Sequence, residues 1–376
     1  MATVLIDKLL EACVKQGASD IHITVGQPPV FRLHGRLRKL ETKTLDPDDT
    51  VALMKSISPE RCQRELQEVG SADFGFAYGD KARFRVSIFK QRGNIAMVLR
   101  QIPTEMMTPE FLGVPEVFTR LCMRPRGLIL VTGPTGSGKT TTLYSALSEL
   151  NTIEDKLITT EDPVEYDIDG IIQIPIDHDI DVTFAKCLRA ILRQDPDKIL
   201  VGEIRDIETA EIAVQASLTG HTVFSTLHTN DAPSTITRLK DMGVPTFLIT
   251  ATVEAILAQR LVRRICPECR EEVEPAEDLL TDLGLTEDDI AGKQFYRGAG
   301  CNSCNTTGYK GRVGLFELMI IDDELRDMIM NNETTDRMRD VAKSKGMVIL
   351  RDAGINFIFD GTTTIEEVVR ETILEA

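Results

Sequence analysis

What the chain lacks narrows its function first. No apolar run approaches the ~20 residues needed to span a bilayer. The opening segment MATVLIDKLLEACVKQG carries charges throughout and has no signal-peptide core. Basic residues are outnumbered, 43 Lys and Arg against 59 Asp and Glu, for a formal net charge of -16. Phosphate backbones require a basic surface, so broad nucleic-acid binding is not expected. Direct adhesion to anionic lipid would call for a polybasic segment and is disfavoured for the same reason. The expected location is cytoplasmic, with any membrane association made through protein partners. Without an export signal, the eight cysteines do not read as a disulfide framework. No long internal repeat or low-complexity segment occurs.

What is present suits a globular α/β protein of two domains. The chain has 376 residues, 42% hydrophobic and 27% charged, too long for one small core. Residues 1–101 read as an α/β module. Leu5, Leu9, Cys13 and Val14, with Val4 ahead of them, suit an amphipathic first helix. SDIHITV (19–25) follows, then a hairpin arm in PVFRLHGRLRKL (29–40) and a helix opening at LDPDD (45–49). Residues 72–102 alternate apolar and polar, with turns at Gly79-Asp80 and Gly93-Asn94, the pattern of antiparallel strands. The proline-bearing stretch 102–116 breaks both periods and reads as a linker. From 117 to 376 strands and helices alternate. GLILVT (127–132), KLITT (156–160), KILVGE (198–203) and TVFSTL (222–227) are nearly continuous apolar runs, as in a parallel sheet covered on both faces.

Residues 133–140 read Gly-Pro-Thr-Gly-Ser-Gly-Lys-Thr, between a buried strand and the helix former TTLYSALSEL. That is the context of a phosphate-binding P-loop. Gly133, Gly136 and Gly138 permit backbone geometry closed to other residues, so several amides can converge, and Gly133, Pro134, Thr135, Gly136, Ser137, Gly138, Lys139, Thr140 and Thr141 form the candidate cradle for ATP or ADP. Pro134, lacking an N–H, contributes shape alone. Lys139 adds charge near the β and γ phosphates, and the Thr140 hydroxyl is a candidate Mg²⁺ ligand. A ligand-free glycine turn is the bland alternative.

Phosphate and metal groups gather at the carboxyl edge of such a sheet. Glu203 lies there, after KILVG, where P-loop enzymes keep the acid of the Mg²⁺ shell. ITTEDPVEY (158–166) brings Glu161, Asp162 and Glu165 to the same edge, and one acid there can orient and deprotonate a water. Glu161 is the better candidate general base and Glu203 the metal-shell organiser, though the two roles are exchangeable; strand-end acids also cap helices. His228 follows TVFSTL and is a candidate γ-phosphate contact. His221, before that strand, lies at the opposite end. Either histidine could instead be a hydrogen-bonded structural residue.

Cys266-Pro-Glu-Cys269 and Cys301-Asn-Ser-Cys304 are two C-x2-C pairs 31 residues apart. Their four thiolates suit a structural Zn²⁺ site, with the longer-than-usual intervening segment looping out. Four unliganded thiols are the alternative. Cys13, Cys62, Cys122 and Cys187 are scattered and read as buried small hydrophobes. Arg83, Arg85, Arg92 and Arg100 fall on strands of the first domain, Arg83 and Arg85 on one face by period 2. They are either solvated edge-strand charges or arginine fingers reaching a nucleotide held by the other domain or a neighbouring subunit.

Together these segments resemble the type II secretion and type IV pilus ATPases, the GspE, PilB and PilT group. ASDIHI (18–23) is similar to their N-terminal signature, GPTGSGKT to the Walker A motif and ITTEDPVEY to the Asp box. KILVGEIRD resembles their atypical Walker B and GHTVFSTLHTNDAPSTITRL (220–239) the His box. The tetracysteine segment 266–304 and the closing 346–372 resemble the assembly and secretion members, PilB and GspE. The first 115 residues look like the retraction member, PilT. The resemblance implies a PAS-like N-terminal domain, a RecA-like motor domain and a homohexamer. ATP would sit between a subunit's two domains, aided by a neighbour, and an inner-membrane platform protein would be the partner. The implied work is pilus assembly or secretion, with retraction as the alternative direction. A nucleic-acid translocase and a nucleotide-gated scaffold that barely hydrolyses are the readings from other classes.

Overall fold

In the computed structural model, residues 5–33, 36–79, 81–102, 106–177 and 180–372 are described. The chain divides into two units, Met1–Glu105 and Met106–Ala376.

In the first unit, α1 (Ile6–Gln16) buries Ile6, Leu9, Leu10 and Cys13, spaced three and four apart. Leu5 precedes the helix and is exposed, so the apolar stripe starts later than the sequence suggests. Next come β1 (Asp20–Ile23), β2 (Val30–Leu33) and β3 (Arg36–Lys39). In α2 (Pro47–Ile57) the Asp46 and Asp49 side chains cap each other's backbone amides, the device that LDPDD encodes. α3 (Glu60–Glu68), β4 (Ser71–Tyr78), β5 (Ala82–Gln91) and β6 (Asn94–Ile102) complete the unit. The sheet is antiparallel in the order β3-β2-β1-β6-β5-β4. Its apolar face, including Ile21, Phe31, Phe84, Val86 and Leu99, packs in one core with residues of α1, α2 and α3.

The other face carries charge in register. Asp20 lies opposite Arg32 on one side and Arg100 on the other, and Arg85 lies opposite Arg100. The Arg100 Nε donates to Asp20 at 2.9 Å, and Arg32 stands 3.5 Å from the same carboxylate. Burial would raise the Asp20 carboxyl, but Arg100 and Ser19 hold it below the usual aspartate range. Two sequence readings change here. Arg83, Arg85 and Arg100 are on interior strands, with β3 and β4 at the edges, so protection of a sheet edge does not explain them. Arg92 sits in the β5–β6 turn with φ 50°, beside Gly93 at φ 79°, and Asn94 already begins β6. Of the other turn read from sequence, Asp80 lies outside the described residues, as do 103–105 of the linker.

The second unit opens with α4 (Pro109–Leu112), inside the stretch read as linker, and α5 (Glu116–Cys122), which starts at its last residue. Then come β7 (Gly127–Thr132), α6 (Lys139–Leu150), β8 (Leu157–Glu161), β9 (Ile172–Pro175), α7 (Phe184–Ile191), β10 (Lys198–Val201), α8 (Ile207–Leu218), β11 (Thr222–Leu227), α9 (Ala232–Asp241), α10 (Thr246–Thr252) and the long β12 (Val253–Ile265). The cysteine segment contributes β13 (Arg270–Val273), α11 (Glu277–Leu283), α12 (Glu287–Ile290) and β14 (Phe295–Gly298). β15 (Tyr309–Ile320) and α13 (Asp323–Met330), α14 (Thr335–Ser344), α15 (Leu350–Phe359) and α16 (Ile365–Thr372) close the chain.

The main sheet runs β15-β12-β7-β11-β10-β8-β9, parallel except for β15 at one edge. Every residue of β7, β8, β10 and β11 is buried, which is why their sequences are apolar without alternation. One face packs with α5 and α6 around Ile129, Val131, Leu143, Leu147 and Phe224. The other packs with α7, α8 and α9 and the closing helices around Leu128, Leu130, Leu188, Val201 and Ile236. Each fully buried side chain of this kind contributes roughly 1.5–3 kcal/mol. Since β7, β8, β10 and β11 point the same way, the loops after them share one edge.

Candidate functional site

The turn after β7 needs its glycines. Gly133, Gly136 and Gly138 have φ of 146°, 82° and 89°, backbone that L side chains rarely adopt. Lys139 begins α6 and is only 8% exposed. Its Nζ donates to the Gly133 carbonyl at 2.8 Å and the Pro134 carbonyl at 3.0 Å, leaving a third proton for a ligand. Burial pulls the ammonium below its ordinary pKa, and the Glu203 charge opposes that. The Ser137 Oγ is buried, with no hydrogen-bond partner among the described residues. An orphaned hydroxyl and a spare ammonium proton beside left-handed glycines fit a phosphate chain. Thr140 is exposed at the start of α6, open to a cation, whereas Thr141 turns to the Tyr166 phenol.

Glu203 lies two residues beyond β10. It pairs with Arg205 at 2.6 Å, and the Nε2 of His228 is 3.5 Å away. Partial burial, then the Lys139 charge, lowers the His228 pKa below the usual imidazole value, and the Glu203 charge opposes this. The structure therefore couples Lys139, Glu203 and His228 electrostatically at the carboxyl edge. The helix-capping alternative for Glu203 does not hold: Asp206 caps α8, accepting from the Thr209 amide at 2.7 Å. His221 is elsewhere, its Nδ1 2.9 Å from the Ala216 carbonyl near the end of α8.

Glu161 ends β8 and is 3% exposed. Tyr144 of α6 donates to one carboxylate oxygen; Thr159 at 2.5 Å and Gln173 at 3.1 Å donate to the other. Burial pushes the carboxyl above the ordinary glutamate value against these donors. The Tyr144 phenol is itself pushed up by burial and the Glu161 charge, so it stays a donor. Its oxygen also accepts from the Glu165 amide at 3.2 Å, and its ring meets Tyr166 edge-on at 5.2 Å. Among the described residues no hydrogen bond or ion pair joins Glu161 to Lys139 or Glu203. The sequence reading missed Tyr144, Gln173, Arg205 and Gln259. Of these only Arg205, two residues after Glu203, had a local signal.

The cysteines do converge. Sγ–Sγ distances are 3.9 Å for Cys266–Cys301, 3.8 Å for Cys269–Cys304 and 3.7 Å for Cys301–Cys304, and all four lie within 4.8 Å of one another. A tetrahedron with Zn–S bonds of about 2.3 Å has S–S edges of about 3.8 Å, so the donor set fits zinc. Amides of Gly300, Cys301 and Gly308 donate to the sulfurs at 3.1–3.3 Å. Burial raises the Cys304 thiol, but the amides of Cys301 and Gly308 bring it down to about 6. The segment between the pairs does more than loop out. β13 and β14 pair, and Leu280, Leu283 and Phe295 share a small core with Ile358, Ile365 and Val368. The four scattered cysteines are buried, as expected. Among the described residues no helix is long and apolar enough to cross a membrane.

Known proteins match along nearly the whole chain. The family model described as type II/IV secretion system protein matches residues 1–370. The type IV pilus assembly ATPase PilB of Myxococcus xanthus is 42% identical over 98% of this chain and 67% of its own length. The type II secretion system ATPase E of Vibrio cholerae is 42% identical over 98% and 75%. The crystal structure of the pilus retraction motor PilT with bound ADP superposes with a TM-score of 0.79 at 34% identity, covering 98% of this chain and 97% of that one. With matches of this extent, the chain belongs to the type II/IV secretion system protein family.

Proposed function

We propose that the chain is an ATPase motor that couples hydrolysis to type IV pilus assembly or type II secretion. One observation carries this: the buried Lys139 ammonium closes a glycine turn at the carboxyl edge of a parallel sheet, where Glu203 stands 3.5 Å from His228. Lys139, Ser137 and the turn amides bind the triphosphate, and Thr140 holds Mg²⁺. The metal supplies charge neutralisation at the phosphates. Glu203 orders the metal's water shell. Glu161 takes the proton of the attacking water, its raised pKa making it the stronger base once a donor is exchanged for water. The exposed His228 contacts the γ phosphate. Arg85 and Arg100, with Arg83 in reserve, act as fingers within the chain or across a homohexamer; their interior-strand placement supports a use other than edge protection.

The second unit's strand order supports a RecA-like core. The first unit's antiparallel sheet, with β1 and β6 side by side at its centre, supports the PAS-like reading. The partner is an inner-membrane platform protein. The assembly and secretion ATPases, each 42% identical over 98% of this chain, support assembly or secretion as the direction of work. Deleting the chain from its cell separates these: surface pili or secretion are lost in the first case, while pili persist without retraction in the second. The purified chain is expected to release phosphate from ATP at a rate indifferent to DNA; stimulation by DNA would move it to the translocases.

One Zn²⁺ per chain is expected at Cys266, Cys269, Cys301 and Cys304. Because residues 270–298 share a core with α15 and α16, removing the metal should loosen hydrogen exchange across 266–308 and the closing helices before β7 and α6. Elemental analysis of folded protein prepared without added metal checks the stoichiometry, and a content near zero refutes it.

A further inference from the structure

We propose that Gln259, on β12, is the positioning residue that turns the Gly138 amide of the glycine-rich turn toward its ligand. The inference rests on reading residues 133–140 as a nucleotide site, and it adds a determinant from a distant strand. Gln259 is 3% exposed. Its Nε2 donates to the Ser137 carbonyl at 2.8 Å, and its Oε1 accepts from the Thr142 hydroxyl at 2.8 Å. The amide has one workable orientation. A carbonyl can only accept, so nitrogen must face Ser137, and the Thr142 hydroxyl is then left to donate to oxygen.

The consequence follows from peptide planarity. In a trans peptide the C=O and N–H point in opposite directions. Holding the Ser137 oxygen against β12 therefore points the Gly138 N–H away from β12, on the side opposite the Gln259 amide. Gly138 caps α6, whose first amides have no partner within the helix. Thr142 stands in the first turn of that helix, so one buried amide fastens both the turn and the helix start to β12. Steric fit agrees. A Cβ at Gly138 would sit 2.9 Å from the Gln259 Nε2 and 3.5 Å from Leu261, and one at Gly133 would strike the Gln259 backbone oxygen. The glycines are thus required by β12 as well as by any phosphate.

The test measures binding of Mg²⁺ with a fluorescently labelled ATP to the full chain, with steady-state kcat and KM alongside. Gln259→Met fills the same volume without hydrogen bonds; Gln259→Glu keeps the shape but sets an acceptor against the Ser137 carbonyl. Both are expected to weaken binding about five- to thirtyfold, the scale of losing a buried hydrogen-bond pair, with KM raised and kcat within about twofold. Thr142→Val should lose about threefold and Thr142→Ser should bind as the parent does. Gln259→Met combined with Thr142→Val should be no worse than Gln259→Met alone, because both act on one network. Parental affinity in the two Gln259 variants overturns the inference. Should those variants not fold, parental affinity in Thr142→Val does so. Parental binding by Lys139→Ala would instead sink the nucleotide site itself, which keeps the two failures apart.

Discussion

Lys139→Ala is expected to reduce kcat/KM for ATP by about a hundredfold or more, since charged hydrogen bonds contribute roughly 1.5–3 kcal/mol each. The ammonium is the buried cation of the turn, and it also ties the Gly133 and Pro134 carbonyls together. Its removal takes away the charge facing the phosphates and the internal brace at once. The fold should survive, because the hydrophobic clusters on both faces of the sheet do not include Lys139. Titration with labelled ATP and an unchanged far-ultraviolet dichroism spectrum check this together. Unaltered turnover would remove residues 133–140 from the site. The same variant reports on the arginines: mixing it with Arg85→Ala or Arg100→Ala subunits should restore activity if the fingers act across a subunit boundary. No recovery points to action within one chain.

The second large effect belongs to the two glutamates. Glu161→Gln and Glu203→Gln should each bind ATP within a few-fold of the parent. Each should lose hydrolysis by about a hundredfold to ten-thousandfold, the range assigned to general acid–base groups. Their signatures differ. Glu203→Gln releases Arg205 from its ion pair and should make turnover more dependent on Mg²⁺ concentration. Glu161→Gln places an amide nitrogen among three donors, so Tyr144 must rotate its hydroxyl to accept or Gln173 must turn away. That loosening should appear as faster hydrogen exchange at Glu165, whose amide donates to the same phenol. Single-turnover phosphate release in the presence of excess protein separates chemistry from product release. Parental rates in both variants would overturn the assignment of the base and the metal organiser.

Sequence alone determined the features encoded within a few residues. Strands buried on both faces are written as unbroken apolar runs, so the parallel sheet was legible. The glycine turn between β7 and α6 was legible because each position has a local steric or charge reason. So were the cysteine knuckles, since a C-x2-C pair presents two thiols whatever lies around it. The acids after β8 and β10 could be placed at one edge by the common direction of those strands. Tertiary structure alone decided what the side chains at that edge meet. Gln259 braces a turn more than a hundred residues earlier because β12 lies beside β7, a neighbourhood that no local period encodes. Glu161 is enclosed by Tyr144 and Gln173 because α6 and β9 flank β8. Buried Glu317, inside β15, accepts from the Ala232 and Leu350 amides and so joins the starts of α9 and α15. For Arg85 and Arg100 the sequence left edge charge and arginine finger both open, and strand order put them inside a sheet, away from its edges. The physical reason is common to all four. Steric and periodic preferences act along the chain, whereas burial and hydrogen-bond partners depend on which strands become neighbours.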